Sequence, residues 1–344
     1  MKRISRKATR HVRRSSSQLP DLLGRLVAAR APAGREEEVR ALLAEALPRG
    51  LALSGTPLGS LHVELGPSGP RRLLLAAAMD QPSLMVSAID DQGRARMRSL
   101  GPVVPRSLAG HRLRFDGGVL GVVACPWEAE PHEGVMLESL WVDFGVEARV
   151  DCPVGLAACG MFEAPLETLG GSWVGRSVAS RALLSVMVGL PSQLPRPAIP
   201  LTIGFLAHAS VDDRGLGPSA NAVSPEQAIL LRPLPVESAT GGSRLALGRG
   251  PVLGLPAAAD SGSRRLVAWL MTAARRSGVA FQERVLAAED PALRILQGSA
   301  QGIAAATLEI PAANLNTPAE MIRKGDAEAV QELLLQLLRR ADQR

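Results

Sequence analysis

The sequence predicts an α/β fold in which a mostly parallel central sheet is flanked by helices and carries a small inserted β-barrel-like domain. Three observations predict it. Short, continuously apolar runs recur along the chain, helical patterns lie between them, and one long stretch is instead rich in glycine and proline. Of the 344 residues, 46% are hydrophobic, which excludes a disordered chain. At roughly 150 residues per domain, the length predicts about two domains.

The α/β part begins with two helices. Residues 19–31 space leucine and valine at helical intervals, a proline–glycine break follows, and Glu36–Leu47 again places apolar residues on one face. Four apolar runs are typical of strands buried on both faces, as in a parallel sheet: Leu73–Ala77, Leu201–Ala207, Ala228–Leu231 and Ala304–Ile310. Three helical patterns alternate with them: Ala179–Leu190, Arg264–Arg276 and Asp326–Arg340. This alternation predicts a layered α/β domain.

Residues 87–168 interrupt the alternation. Glycine and proline recur there, and the apolar pieces are short: Leu113–Phe115, Val119–Val123 and Leu140–Phe144. Such a pattern is typical of a small all-β unit. We therefore predict a basic disordered arm at residues 1–17, an α/β domain formed by residues 18–86 and 169–344, and an inserted β domain at residues 87–168.

The net charge of +6 belongs to the arm. Residues 1–17 contain seven Lys and Arg residues and no acidic residue. The rest of the chain contains the other 32 of the 39 basic residues and all 33 acidic residues. The arm is either a solvated terminus without a partner or an element that binds nucleic acid, an anionic membrane or an acidic protein through charge alone. An organellar transit peptide is a further alternative.

Composition also excludes several kinds of protein. Aromatic residues make up only 3% of the chain and tyrosine is absent, which argues against a platform for stacking bases. The three cysteines include no C-x-x-C pair, so neither a disulfide framework nor a structural zinc site is predicted, and we expect a cytoplasmic protein. No apolar stretch reaches the roughly 18 residues of a membrane-spanning helix.

Carboxylates follow two of the predicted strands. Asp80 lies just past the first apolar run, and Asp212 and Asp213 lie just past the second. Because ligands bind at the carboxyl ends of strands in open α/β sheets, these residues are candidates for a general base and a ligand, or simply cap the turns after the strands. His208 is expected to be structural, and Asp290 is expected to cap a helix. Neither a nucleophile elbow nor a phosphate-binding loop occurs.

Four ordered segments of the chain resemble one family. Ala77–Val86 is similar to the family's strand end Ala-His-Met-Asp-Glu and its continuation Ile-Gly-Leu-Met-Val. Leu247–Pro251 is similar to the family's Leu-Gly-x-Gly-Pro, and Gly278–Gln282 is similar to its Gly-Ile-Pro-x-Gln. Leu315–Glu320 is similar to its Met-His-Ser-Pro-x-Glu. The family is that of the dinuclear-metal glutamyl (deblocking) aminopeptidases, also described as endoglucanase-like, which form tetrahedral dodecamers. The resemblance spans about residues 20–338. It implies a zinc-peptidase-like sheet and an oligomer, either of this chain alone or with an active paralogue.

The resemblance also implies that most metal ligands are replaced. The positions of the family's five metal ligands are Ala78, Ala179, Asp213, Arg232 and Asn316. Only Asp213 among them is a carboxylate, and Asp212 stands at the position of the general base. The family uses two divalent metals, zinc or cobalt, and two such ions require a shared carboxylate that is missing here. We therefore expect no cofactor.

Two functions are compatible with this interpretation. The first is a catalytically inactive homologue that acts as a scaffold, a regulatory subunit or a peptide binder, in which Asp80 and Asp212 are inert remnants. The alternative is an active metallo-aminopeptidase with a rebuilt site that releases N-terminal residues from peptides. In the first case, we expect Arg232 to replace the metal charge and to pair with Asp213, Asp212 or Asp80.

Overall fold

The computed structural model describes residues 18–339, except for residue 71 and residues 127–133, 237–244, 257–260 and 288–289. The predicted basic arm lies outside the described residues. The helices are α1 (Gln18–Ala28), α2 (Glu37–Ala46), α3 (Val178–Gln193), α4 (Leu216–Val223), α5 (Ser261–Ser277), α6 (Pro291–Gln297) and α7 (Lys324–Leu338). The strands are β1 (Leu53–Gly55), β2 (Leu61–Leu65), β3 (Leu73–Ala78), β4 (Ser83–Ile89), β5 (Ala95–Leu100), β6 (Arg112–Arg114), β7 (Leu120–Ala124), β8 (Trp141–Asp143), β9 (Cys159–Phe162), β10 (Glu167–Leu169), β11 (Ser172–Gly175), β12 (Leu201–Leu206), β13 (Gln227–Pro235), β14 (Val252–Pro256), β15 (Gln282–Leu286), β16 (Ala304–Ala312) and β17 (Glu320–Arg323).

An eight-stranded sheet in the order β1-β2-β12-β3-β13-β16-β14-β15 forms the centre of the protein. Its four middle strands, β12, β3, β13 and β16, run parallel to one another. Antiparallel pairs occur towards the two ends, between β1 and β2, β2 and β12, and β14 and β16. The predicted α/β class with a mostly parallel middle is therefore confirmed.

Burial on both faces explains why the middle strands are apolar without alternation. In β3, Leu73 and Leu75 join the larger core on one face, whereas Leu74 and Ala76 join a second core on the other. Helices α1, α2, α3, α5 and α7 cover the first face, and α4 and α6 cover the second. Within the described part of the chain, no helix is long and apolar enough to cross a bilayer.

A closed six-stranded barrel in the order β4-β5-β8-β7-β6-β9 follows β3 in the chain. Its interior is closely packed: a Cβ on Gly160 would lie 2.8 Å from the ring of Phe115, and one on Gly121 would lie 2.4 Å from Val142. The predicted β-barrel-like unit is confirmed. Its strands extend from residue 83 to residue 162, and the exact division of the chain into domains stays a prediction.

The buried Arg176 guanidinium joins the barrel to the helical layer. It donates hydrogen bonds to the carbonyl oxygens of Val27 (3.0 Å) and Ala28 (2.6 Å) at the end of α1, and to that of Phe162 (2.5 Å) in β9. Burial lowers the pKa of Arg176 to about 10, so the side chain remains a cation at neutral pH. One side chain thus joins two separate segments of backbone.

Candidate functional site

The carboxyl ends of the parallel strands enclose a cavity of about 230 Å³. Strand register brings its residues together. Leu206 pairs with Ala78, and Leu230 pairs with Ala76, so Arg232, two residues further along β13, lies level with Ala78. This is the edge at which open α/β sheets bind ligands.

Most of the residues singled out by the sequence line this cavity. They are Ala78, Asp80, Asp213, Arg232 and Asn316. Ala179 is buried just behind the wall, while the next residue, Ser180, reaches the cavity. Asp212 does not line it: its side chain is 86% exposed and lies 3.7 Å from Arg214. The structure therefore separates the two adjacent aspartates, one facing the cavity and the other facing solvent.

The remainder of the wall is largely apolar. Leucine side chains from α3, β12, α4 and β13 contribute to it, together with prolines on the barrel side: Leu183, Leu206, Leu216, Leu230, Pro82 and Pro102. Few polar groups therefore reach the cavity, and they lie against an apolar surface, as in typical small-molecule sites.

Asp80 is engaged by the loop that comes after β12. Its carboxylate accepts hydrogen bonds from the main-chain N–H groups of Ala209 (2.9 Å) and Ser210 (2.8 Å) and from the Ser210 hydroxyl. Burial raises the pKa of Asp80 and these hydrogen bonds lower it, with a net upward shift. The side chain is 2% exposed. Asp80 therefore positions the loop and has little capacity left for a ligand.

Arg232 has different partners from those predicted. Its Nη2 atom lies 2.5 Å from Asp290 and its Nε atom lies 2.9 Å from Glu309. The expected pairing with Asp213, Asp212 or Asp80 is wrong because β13 and β16 are in a register that places Arg232 directly beside Glu309. Asp290 approaches from the start of α6.

The ion pair is part of a larger buried network. The carboxylate of Glu309, which is fully buried, also accepts hydrogen bonds from Nε (2.5 Å) and Nη2 (2.7 Å) of Arg284. Asp290 accepts a hydrogen bond from the main-chain N–H of Leu293, which confirms its predicted role as a helix cap. Although burial alone raises the pKa of Asp290, the hydrogen bond and charge of Arg232 bring it below its usual value. The guanidinium groups of Arg232 and Arg284 thus balance the carboxylates of Asp290 and Glu309.

Asp213 is the carboxylate that remains available. Its backbone is left-handed, with φ at 50°, and its half-buried side chain faces the cavity. Burial raises the pKa of Asp213 to about 6, even though the nearby charge of Arg232 lowers it. No described residue donates a hydrogen bond to this carboxylate.

Glu320 supports the opposite wall and was not identified as a site residue from the sequence. It accepts hydrogen bonds from the main-chain N–H groups of Asn316 (3.1 Å) and Ala179 (3.4 Å), and burial raises its pKa to about 7. Glu309 was also missed, although a charged residue inside the apolar run Ala304–Ile310 was a signal that could have identified it. Both glutamates act behind the cavity wall.

These residues do not fit a pair of divalent cations. Ala78 and Ala179 offer no side-chain donor, Asp80 is already hydrogen-bonded, and the guanidinium of Arg232 supplies a positive charge in the cavity wall. His208 lies against Gly34, outside the residues that line the cavity. Among the described residues, no group of three or more His, Cys, Asp or Glu side chains is arranged to hold a metal.

Comparison with known proteins identifies the relatives of this fold. The M42 glutamyl aminopeptidase family matches residues 59–333. The chain belongs to this family. The resemblance in the four sequence segments is thereby confirmed, and the barrel following β3 is part of an M42 chain.

Individual relatives of this M42 chain are distant but cover nearly all of it. A protein of Escherichia coli (strain K12), FrvX, which is provisionally named an aminopeptidase, is 27% identical over 335 residues, covering 91% of this chain and 93% of its own. An aminopeptidase from the archaeon Desulfurococcus kamchatkensis has a TM-score of 0.85 at 21% identity, covering 94% of this chain and 95% of its own. The Pyrococcus horikoshii TET1 peptidase, described as assembling into a tetrahedron or a large octahedral shell, has a TM-score of 0.79 at 22% identity, covering 93% of this chain and 99% of its own. At these identities, the solved structures show the shared fold alone.

Proposed function

We propose that this M42 protein does not hydrolyse peptides and serves instead as a ligand-binding scaffold or regulatory subunit. The observation that carries the proposal is the cation of Arg232, which is fixed by Asp290 and Glu309 level with Ala78. A guanidinium is a permanent cation, so a metal beside it would be repelled. The residues that line the cavity leave one available carboxylate and no imidazole, too few donors for a catalytic zinc site.

The same arrangement supports a structural role for the charges. In the M42 plan implied by the sequence resemblance, metal ions would balance the carboxylates at this edge. Here, Arg232 and Arg284 balance Asp290 and Glu309 directly. This four-residue network is therefore balanced without a bound ion, and Asp80 holds the loop after β12 in place.

The test combines metal content with peptidase activity. The full-length protein, purified without chelator, is analysed for bound metal and incubated with peptides of varied N-terminal residue, with and without added zinc, cobalt or manganese. We expect no stoichiometric metal and no released amino acid. Two bound metals per chain, or turnover that depends on added metal, would instead establish the alternative of an active aminopeptidase with a rebuilt site.

We further propose that the chain forms an oligomer, either with itself or with an active paralogue. The assembly described for the Pyrococcus horikoshii TET1 peptidase supports this proposal. Light scattering on the purified chain should give a mass several times the 36.1 kDa of one copy, and a monomeric mass would exclude self-assembly. Mixing with an active M42 relative then tests for a mixed oligomer.

Binding of nucleic acid or another anionic surface by residues 1–17 stays a prediction. Deleting these residues should abolish retention on DNA–cellulose at low salt if the arm is the binding element. Equal retention of the full chain and the truncated chain would exclude that role.

A further inference from the structure

We propose that the cavity is a metal-free binding site for a free α-amino acid with an apolar side chain, whose ammonium group binds Asp213 and whose carboxylate binds near Arg232. The inference rests on the proposed function, because it requires the cavity to contain no catalytic metal. It adds the chemical class of the ligand, which neither the fold nor the family match assigns.

The walls of the cavity suit a compact apolar side chain. Leu183, Leu206 and Leu230 line it, with alanines from β3 between them. Its volume of about 230 Å³ is too small for a long peptide segment and matches a single residue. Burying an aliphatic side chain of leucine size there would contribute favourably to binding through the hydrophobic effect.

Asp213 supplies the negative end of the site. Its carboxylate is half-buried at the cavity and receives no hydrogen bond from a described residue. A partly desolvated carboxylate without a hydrogen-bond donor is unfavourable, and a group that brings both donors and a positive charge relieves it. A primary ammonium has three donors and one positive charge, so it fits this carboxylate.

Arg232 supplies the donors for the carboxylate of the ligand. A guanidinium has five N–H donors, and those of Arg232 make three hydrogen bonds, one to Glu309 and two to Asp290. The remaining donors, together with the Asn316 amide and the Ser180 hydroxyl in the wall, can bind the oxygens of a carboxylate. The cavity therefore presents a carboxylate at one end and guanidinium, amide and hydroxyl donors at the other, so an α-amino acid, which has both an ammonium and a carboxylate, matches it better than an amine or an acid alone.

Isothermal titration calorimetry on the full chain tests the inference with four probes. L-Leucine carries all three groups, isopentylamine lacks the carboxylate, 4-methylpentanoate lacks the amine, and glycine lacks the side chain. We expect leucine to bind most tightly and the loss of either charged group to weaken binding about 10- to 100-fold, the range for hydrogen bonds to charged groups. Glycine should also bind more weakly, because it buries no side chain. Equal binding of isopentylamine and leucine would refute the role of Arg232.

Two neighbouring carboxylates provide a matched pair of variants. D213N should weaken leucine binding about 10- to 100-fold, whereas D212N, in which an exposed side chain changes, should leave the affinity unchanged. Because Asp213 makes no hydrogen bond through its side chain to a described residue, D213N should fold normally, and an unchanged circular dichroism spectrum verifies this. Leucine binding that D213N leaves intact would overturn the inference, as would a complete absence of leucine binding.

The two proposals fail in different ways. Peptidase activity or bound metal in the same preparation would overturn the proposed function, and with it the inference. A metal-free, inactive protein that does not bind leucine through Asp213 would overturn the inference and leave the proposed function standing.

Discussion

Replacing Arg232 by methionine should destabilise the protein by about 3 kcal/mol, because it leaves buried carboxylates without their partner. The exposed fractions of the side chains are 26% for Arg232, 12% for Asp290 and 0% for Glu309. Removing one member of a buried ion pair costs roughly 3–5 kcal/mol. The lower end applies here, since Glu309 keeps its hydrogen bonds to Arg284 and the loss falls mainly on Asp290.

A double-mutant cycle separates the charge from the packing. In D290N, the side-chain oxygen can still accept the hydrogen bond from the Leu293 N–H that caps α6, while the negative charge is lost. The double variant R232M/D290N should therefore be more stable than R232M by about 1–2 kcal/mol, because it no longer buries an unpaired charge. R214M is the matched control. Arg214 is exposed and 3.7 Å from Asp212, so its loss should change stability by less than about 1 kcal/mol.

Urea unfolding at pH 7.5, followed by circular dichroism and by the fluorescence of the four tryptophans, measures these differences. The reasoning is refuted if R232M lies within about 1 kcal/mol of the natural protein. It is also refuted if the losses in R232M and D290N simply add in the double variant, because additive losses mean that the two side chains are not coupled.

Three further predictions concern the walls and the backbone. Burial raises the pKa of Glu320 from 4.5 to about 7. The free energy of unfolding should therefore fall by about 2 kcal/mol between pH 5 and pH 7, because the unfolded chain ionises Glu320 over this range while the folded protein keeps it protonated. Urea unfolding across this range should show a flatter slope in E320Q, and an unchanged slope would refute the assignment. D80A should cost about 2–3 kcal/mol in the same assay, because two main-chain N–H groups lose their acceptor; a neutral effect would contradict the anchoring role. G250A should cost at least about 2 kcal/mol more than G278A. Both glycines have positive φ, but only at Gly250 would an added Cβ lie 1.8 Å from a carbonyl oxygen, that of Ala280. Equal melting temperatures of G250A and G278A would refute this prediction.

The sequence was sufficient to predict the middle of the fold. Strands such as β3 are buried on both faces, so their continuous apolar runs stand out, and α3 and α7 have clear helical spacing. Several short strands were not predicted. β1 and β10 have three residues each, all exposed, and strands so short carry no burial pattern that a sequence could reveal.

The candidate site was predicted in outline and not in its contacts. The positions of Asp80, Asp213 and Arg232 at strand ends followed from chain order and from the family resemblance. The partner of Arg232 did not, because its pairing with Glu309 depends on the register of two strands 77 residues apart. The sequence also could not predict that the side chains of Asp212 and Asp213 point in different directions. Both residues adopt left-handed backbone angles, with φ at 57° and 50°, and aspartate does not require such angles.

The hydrogen bonds of Arg176 have a mechanical consequence for access to the cavity. Pro82 and Pro102, on the barrel side, form part of the cavity wall, and the Arg176 guanidinium joins the barrel to the end of α1. Swinging the barrel outward would break the hydrogen bond from Arg176 to Phe162 and those from Arg30 to Asp116 and Cys159. We therefore expect the entrance to keep a fixed width, so that the rigid frame of the protein, rather than the closing of a gate, sets the size of an admitted molecule.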